Sequence, residues 1–503
     1  MTAAAPFTPP EQTPGQTPGQ TPGQTLGQMP PGGSGHPNGA ALRIAVAGHT
    51  NAGKTSLLRT LTRRADFGEV SDRPGVTRHT ERVDLLLQGR PAVHFFDTPG
   101  LEDAVALLEL LQASGGPGPR AERVRAFLRS PPAQTRFEQE AKVLRALLDH
   151  ADAVFLVVDT RAPVLPKYHA EMQLLAWCAR PVMPVLNFVL APGSRQAQWR
   201  EALRDAGLHA CAAFDAVAPF CGAETALYRD LATLLPERRQ QLQAIASQLE
   251  QHAQDRHRAA RRAIAGALIN VAAMRRRLTA GEHADLARRA DSVRAFQHDC
   301  AAHARQAVQA LLHAHEFGPD EAESLDLPQL ALRWEDDLFD PAWLKAAGRR
   351  LGLGAAIGAG LGAVADVALA GLSLGAAATL GGAIGSALSG GWQPLADKLR
   401  GRLSGAREIS AQDAVLTVLA AHLLALEQAL RQRGHAAQHR LRAADWAAAL
   451  TAGELPPANW EPLLAALKTA RAHPEWEQRP GDALGYAPER DALAGRVAQA
   501  LPE

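Results

Sequence analysis

The stretch Gly48-His49-Thr50-Asn51-Ala52-Gly53-Lys54-Thr55 decides the fold of this chain. An apolar, β-branched run at 42–47 precedes it and a stretch with helical spacing at 56–61 follows it, which predicts strand, glycine loop and helix. Glycines let backbone N–H groups surround phosphate oxygens, and the N-terminus of the following helix attracts the same anions. We expect Lys54 to reach the β- and γ-phosphates and the Thr55 hydroxyl to bind Mg²⁺. The stretch therefore predicts a nucleoside triphosphate site.

Composition limits the class of protein. A chain of 503 residues has room for two or three domains. Its 53 basic and 52 acidic residues give a net charge of +1, so no overall field favours nucleic acid as a partner. The four cysteines are scattered without a C-x-x-C pair, which argues against a disulfide scaffold or a zinc site and suits a reducing compartment. No secretory signal is visible, and we expect a cytoplasmic protein.

The pattern along the chain predicts three regions. Residues 1–40 repeat Gln-Thr-Pro-Gly and are expected to be a disordered tail. Residues 41–236 alternate helical stretches with predicted strands at 42–47, 81–87, 93–97, 153–159 and 182–186 and a weaker one at 211–214, which favours an α/β fold with a mostly parallel sheet and helices on both faces. Residues 237–503 are expected to be mainly α-helical.

Two further motifs lie downstream of the glycine loop. Asp97-Thr98-Pro99-Gly100 ends the third predicted strand, where Asp97 is expected to hold the Mg²⁺ shell and the Gly100 N–H to sense a γ-phosphate. Thr77 lies in the polar connection 72–78 between the two motifs, and we expect it to bind Mg²⁺ when the γ-phosphate is present.

The sequences G-H-T-N-A-G-K-T, P-G-V-T-R and D-T-P-G resemble the Era/TrmE branch of small GTPases, over roughly residues 42–236. The resemblance implies a P-loop G domain that binds GTP and GDP with Mg²⁺ and hydrolyses GTP slowly. It makes Gly48–Ser56 the first motif, Thr77 the second and Asp97–Gly100 the third. Lys54, Thr77 and Gly100 would then act on the γ-phosphate.

Two positions in these motifs bear on the chemistry that the resemblance implies. Asn51 matches the P-loop asparagine that holds K⁺ in that branch and is a candidate K⁺ ligand; an ordinary loop residue is the alternative. Leu101 stands where Ras-like proteins carry a water-positioning glutamine, and related GTPases with an apolar residue there use another group.

The fourth motif departs from the family. Asn187-Phe188-Val189-Leu190 stands where N-K-x-D is expected; Asn187 matches, and the lysine and the aspartate are replaced. That aspartate accepts hydrogen bonds from guanine N1 and N2 in the family, so ATP is an alternative to GTP. A nucleotide-binding structural or tethering protein with little turnover is the alternative from another functional class.

The helical half carries a second unusual stretch. Residues 351–391 contain one charged residue, Asp366, and glycines spaced every four positions at Gly354, Gly358 and Gly362, which predicts a glycine-zipper hairpin. Basic residues flank both ends, so association with the inner membrane from its cytoplasmic face is one interpretation and a closely packed soluble hairpin is the other. With its lead-in at 338–344, this half resembles the C-terminal domain of unknown function behind Era-like GTPase domains in some bacteria.

Three smaller expectations concern surfaces. A homodimer is expected to form through the G domain or the helical half. The insertion that begins at Ser114 and ends with a helix at 136–149 is expected to report nucleotide state, or to be a tolerated surface loop. The apolar run 263–274, between arginine clusters at 256–262 and 275–277, fits either a membrane surface or, more commonly, a helix with a core-facing stripe.

Overall fold

A computed structural model describes residues 40–64, 66–67, 80–114, 118–317, 407–437, 458–478 and 487–502. Thr77, nearly all of the predicted tail and the whole of 351–391 lie outside the described residues, so the expectations for them stay predictions. Contacts divide the chain into two compact units. The first comprises Met1–Lys54, Gly68–Leu156 and Leu165–Val182, and the second comprises Thr55–Phe67, Val157–Val164 and Met183–Glu503.

Six strands of the described residues form one sheet in the order β2-β3-β1-β4-β5-β6. Strand β1 pairs in parallel with β3 and β4, β5 pairs in parallel with β6, and β2 runs antiparallel to β3. Apolar residues fill the central strands because both faces are buried. The mostly parallel sheet confirms the predicted fold class. The strands are β1 Leu42–Ala47, β2 Glu81–Leu87, β3 Arg90–Asp97, β4 Ala153–Asp159, β5 Val182–Asn187 and β6 Ala212–Ala213.

Helices connect these strands along the chain. In the first unit α2 packs against α5. The predicted helix at 136–149 begins two residues later and continues past α4 as a π-helical turn, Ala146–His150. The helices of this region are α1 Lys54–Thr62, α2 Ala104–Ala113, α3 Arg120–Leu128, α4 Glu138–Arg145, α5 Pro166–Trp177, α6 Gln196–Asp205 and α7 Ala223–Leu234.

One long helix organises the region beyond α7. Helix α8, Arg239–Ala273, contacts α7 and the helices that follow, and Ile264 and Leu268 on its second half are fully buried in the core between them. Arg261 donates hydrogen bonds to the carbonyls of Ala498, Leu501 and Pro502 at the end of the last helix. The other helices are α9 Ala280–Ala284, α10 Leu286–Ala314, α11 Asp413–Arg431, α12 Glu461–Arg471 and α13 Pro488–Ala500.

Two features of this region bear on the sequence predictions. The apolar run 263–274 lies in the protein core, so its interpretation as a core-facing stripe is confirmed and its interpretation as a membrane surface is wrong. A short antiparallel ribbon, β7 Arg276–Leu278 paired with β8 Arg407–Ile409, was not predicted. In the described part of the chain, no helix combines the length and apolar character that a membrane span requires.

Candidate functional site

The glycine loop folds as its sequence predicts. It leaves β1 at Ala47 and enters α1 at Lys54, and Gly48, Asn51 and Gly53 have φ values of 143°, 63° and 92°. Glycine adopts such angles at little cost and asparagine tolerates them, which explains the residue types at these positions. Successive backbone N–H groups in this kind of turn form a concavity that binds anions.

Lys54 is a buried cation at the end of this loop. Its side chain is 7% exposed, and Nζ donates to the carbonyl oxygens of Gly48 at 3.2 Å and His49 at 3.0 Å. Burial lowers the pKa of the ammonium group, while the charges of Asp97 and Glu171 raise it. In the described residues no salt bridge neutralises Lys54, and a buried ammonium group bound by carbonyl oxygens is well matched to an anion.

The Asp97–Gly100 motif lies against the glycine loop. Asp97 is 1% exposed, and the Thr98 hydroxyl donates to the carbonyl of Val46 on β1 at 2.7 Å. A Cβ built on Gly100 would lie 2.2 Å from Thr50 Oγ1 and 2.8 Å from Thr50 N, so only glycine fits. Thr50 Oγ1 is itself buried and has no hydrogen-bond partner within the described part of the chain. An unpaired buried hydroxyl on the glycine loop can donate a hydrogen bond to a phosphate oxygen.

His49 joins the glycine loop to α5. Lys167 Nζ lies 2.8 Å from His49 Nε2, and because lysine can only donate, Nε2 is the acceptor. Nδ1 then carries the proton and lies 2.8 Å from Glu171 Oε1 and 3.1 Å from the Leu101 carbonyl oxygen. Burial raises the pKa of the Glu171 carboxyl, and its hydrogen bond with His49 opposes that rise. This cluster fixes the position of Leu101, which follows the third motif and is fully buried.

The inserted helix α4 holds the next part of the chain. Glu140 is 3% exposed, and its Oε1 accepts hydrogen bonds from the backbone N–H groups of Glu102 at 3.1 Å and Asp103 at 2.9 Å. Asp103 caps the N-terminus of α2 through the Ala106 N–H. The segment after the third motif is therefore anchored by a residue of the insertion.

In the second unit, the fourth-motif asparagine connects three loops. Asn187 is 1% exposed, and its Oδ1 accepts from the N–H groups of Phe188 at 2.9 Å and Ala216 at 3.0 Å. The Thr160 hydroxyl donates to the Asn187 carbonyl at 2.7 Å. Arg161 stacks over the Phe188 ring at 3.7 Å and is paired with Asp159 at 2.8 Å. Leu190, where the family carries its aspartate, is 66% exposed.

The predicted residues thus fall into two clusters. In the first cluster Gly100 packs against Thr50, and Lys54 donates to two carbonyl oxygens of the same loop. In the second, Asn187 contacts the loop after β6. Sequence reasoning missed four buried or partly buried acids and bases. Lys167 and Glu171 are four residues apart on α5, a spacing that places both on one helix face, but nothing in the sequence shows that this face meets His49. Glu140 and Asp215 carry no sequence signal at all.

Residues 200–498, more than half of the chain, match the family described as a domain of unknown function, DUF3482. The chain belongs to this family. Residues 43–188 match the family described as 50S ribosome-binding GTPase. The resemblance to Era/TrmE GTPases, with a helical domain of unknown function behind the G domain, is confirmed.

Individual relatives match short parts of the chain. The tRNA modification GTPase MnmE of Rhizobium meliloti (strain 1021) is 47% identical over 68 residues, which are 14% of this chain and 15% of that protein. The probable GTP-binding protein EngB of Anaeromyxobacter sp. (strain K) is 41% identical over 69 residues, 13% of this chain and 32% of the relative. The chain therefore spans about a third or less of the length of these relatives.

Solved structures give similar matches. Era in complex with MgGDPNP and 16S ribosomal RNA has a TM-score of 0.26 at 18% identity, over 35% of this chain and 51% of that one. The G domain of the T. maritima FeoB iron transporter has a TM-score of 0.21 at 19% identity, over 35% and 89%.

Proposed function

We propose that the protein binds GTP with Mg²⁺, hydrolyses it slowly to GDP and phosphate, and acts as a switch on its helical C-terminal domain. The observation that carries this proposal is Lys54, a buried ammonium group held by two carbonyl oxygens of a glycine loop that also carries the unpaired hydroxyl of Thr50. The glycine loop and the Gly100 contact support the same chemistry, because the loop precedes a helix N-terminus and the third motif packs directly against it.

We propose a separate role in GTP hydrolysis for each group of residues at the site. Lys54 and the loop N–H groups stabilise the charge that develops on the phosphate oxygens, a contribution that does not require rearrangement during the reaction. Thr55, Asp97 and Thr77 carry the oxygen donors that Mg²⁺ prefers, and we propose them as its direct or water-mediated ligands. When bound, the ion would neutralise charge on the β- and γ-phosphates. Gly100 and Thr77 would sense the γ-phosphate.

Asn51 is the proposed ligand for K⁺. Asn51 has a left-handed backbone conformation, with φ 63°, and its side chain is exposed. We propose K⁺ stimulation of hydrolysis because Leu101 supplies no polar group to orient water. Turnover measured in KCl and in NaCl tests this directly: faster turnover in KCl is expected, and equal rates would remove K⁺ from the proposal. Asn51→Ala should abolish the difference between the salts.

Switching is supported by contacts of α1 in the second unit. The Thr60 hydroxyl donates to the carbonyl of Ala216 at 2.7 Å, and Arg63, just beyond α1, pairs with Glu224 at 2.9 Å and with Glu316 at 3.2 Å. Glu316 follows α10, so the residue that directly follows α1 is paired with a residue just beyond α10. A movement of α1 on nucleotide exchange would therefore be transmitted to α10.

A binding experiment tests the proposal. Fluorescent GTP and ATP analogues are titrated into the full chain, with Lys54→Ala as the test variant and Lys468→Ala, an exposed lysine on α12, as the control. We expect Lys54→Ala to lose at least about tenfold in affinity, since it removes a charged hydrogen bond worth roughly 1.5–3 kcal/mol. Equal binding by the two variants would contradict it. Tighter binding of the ATP analogue than of the GTP analogue would identify ATP, and not GTP, as the nucleotide that the protein uses.

A nucleotide-dependent tether with little turnover is the second candidate function. It is favoured by Leu101, whose side chain is fully buried and has no group that can position water. Tight GTP binding without phosphate release above that of Lys54→Ala would support this candidate and contradict the proposed enzyme.

Location and assembly complete the proposal. We propose a cytoplasmic protein with domains at 41–236 and 237–503, which associates with the inner membrane through 351–391. Carbonate and detergent extraction of cell membranes tests this: retention after carbonate and release by detergent are expected, and a wholly soluble protein would contradict it. A homodimer through the G domain or the helical half is expected to appear as a doubled mass by light scattering with a GTP analogue; a monomer mass would contradict it.

A further inference from the structure

A buried carboxylate stands at the carboxyl end of β6. Asp215 is 4% exposed, and its Oδ1 accepts hydrogen bonds from the N–H groups of Val217 at 3.1 Å and Ala218 at 3.3 Å. In the part of the chain that the structure describes, its other oxygen, Oδ2, receives no hydrogen bond. A carboxylate oxygen that accepts no hydrogen bond from the protein is available to a donor of a bound molecule.

The loop that carries Asp215 belongs to the same site as the fourth motif. The neighbouring residue, Ala216, donates its N–H to Asn187 Oδ1 at 3.0 Å, which ties the loop after β6 to the end of β5. Both loops follow strands of a mostly parallel sheet, and ligands of such sheets bind at the carboxyl ends of the strands. Asp215 therefore lies in the part of the fold where a bound molecule is expected.

Two other residues at these loops offer no unpaired carboxylate. Asp159, at the end of β4, is neutralised by Arg161, whose guanidinium group also stacks over Phe188. Leu190 presents an exposed apolar side chain at the fourth motif. Among the described acids on these three loops, Asp215 has a carboxylate oxygen that accepts no hydrogen bond.

Guanine offers the matching chemistry. The Watson–Crick edge of guanine presents two adjacent donors, N1–H and the N2 amine, which a carboxylate oxygen can accept; adenine presents an acceptor at N1 and no amine at C2. We propose that Asp215 binds this edge and is the residue that makes the site specific for guanine, in place of the missing fourth-motif aspartate. The inference rests on the proposed GTP binding and adds the residue that selects the base.

The replacement Asp215→Asn changes only the relevant atom. Asparagine keeps Oδ1 for the Val217 and Ala218 N–H groups and replaces Oδ2 by an NH₂ donor, which opposes the guanine donors. Xanthine carries a carbonyl at C2 where guanine carries the amine, so the same NH₂ group would bind it. We expect GTP affinity to fall by about 10- to 100-fold, because the carboxylate acceptor of the guanine donors is lost. XTP affinity should rise by a similar factor, because the new NH₂ group donates to the C2 carbonyl of xanthine.

The experiment is a competition titration on the full chain, in which GTP, ITP, XTP and ATP displace a fluorescent GTP analogue in the presence of Mg²⁺. Asp230→Asn, an exposed aspartate on α7, is the matched control and should behave like the unmodified chain. Adding Leu190→Asp to Asp215→Asn restores a carboxylate at the fourth motif and should recover part of the GTP affinity.

A second measurement does not depend on any variant. ITP lacks the N2 amine and is otherwise identical to GTP, so the unmodified chain should bind GTP about tenfold more tightly than ITP if Asp215 accepts from that amine. Equal GTP and ITP affinities, or unchanged GTP and XTP affinities in Asp215→Asn, would overturn this inference while leaving the proposed GTP binding intact. Failure of the unmodified chain to bind GTP would overturn the proposed function and this inference together.

Discussion

Replacement of Gly100 by alanine tests the contact between the third motif and the glycine loop. The added Cβ would lie 2.2 Å from Thr50 Oγ1, 2.8 Å from Thr50 N and 2.9 Å from Thr50 Cα. Distances below 3.0 Å force atoms to move, and two of the three involve the backbone, which cannot rotate away. Overpacking of this kind costs about 1–3 kcal/mol, and we expect the upper half of that range.

The assay is thermal unfolding of the full chain, followed by phosphate release from GTP. For a domain of about 150–250 residues, each kcal/mol shifts Tm by about 2–4 °C, so Gly100→Ala should lower the Tm of the G domain by about 4–12 °C. It should also reduce GTP turnover, because the added methyl group would displace Thr50 from the proposed phosphate site.

Two further variants identify the cause. Gly266→Ala, on α8, places a Cβ with no atom within 4 Å and should stabilise the protein by up to about 1 kcal/mol. Combining Gly100→Ala with Thr50→Ala removes the 2.2 Å clash and leaves the backbone clashes, so stability should recover in part only. An unchanged Tm and turnover in Gly100→Ala would refute the proposed packing of the two motifs.

The remaining predictions concern the second unit. Burial lowers the pKa of His422 to about 4 from 6.5, so below pH 6.5 the unfolded chain takes up a proton that the folded chain refuses. Stability should fall by roughly 3 kcal/mol between pH 6.5 and 4, and denaturant titrations should show a shallower pH dependence in His422→Gln; an equal slope would contradict this. A Cβ on Gly434 would lie 2.1 Å from Ala216 O and 2.9 Å from Thr60 Oγ1, so Gly434→Ala should cost about 1–3 kcal/mol and weaken GTP binding, while Gly495→Ala, with no atom within 4 Å, should do neither. Calorimetry would measure the stability of the two variants and the binding titration their GTP affinity. Unchanged stability and affinity in Gly434→Ala would argue against this contact.

The strands were predictable because local sequence determines them. The run Ala153–Asp159 is β-branched and apolar throughout, and the structure has β4 at those residues. The glycine loop was predictable because its left-handed angles restrict Gly48 and Gly53 to glycine. Such features depend on a few neighbouring residues and leave a clear trace in the sequence.

Other features depend on contacts between distant residues. The partner of β7 is β8, which lies about 130 positions further along the chain. Each strand has only three residues, most of them charged, so neither shows the alternation of apolar and polar residues that predicts a strand. The contact of Glu171 with His49 spans 122 positions. Asp215 is a single acid in a loop, and only burial and the hydrogen bonds around it distinguish it from a surface residue.

Release of phosphate from GTP by the full chain tests the central claim most directly. Measured with Mg²⁺ at saturating GTP, the unmodified protein should release phosphate in repeated turnovers, and Lys54→Ala should be slower by at least about tenfold. Turnover that is absent in the unmodified protein, or equal in both, would contradict the account of Lys54 as the cation of a GTP-hydrolysing site.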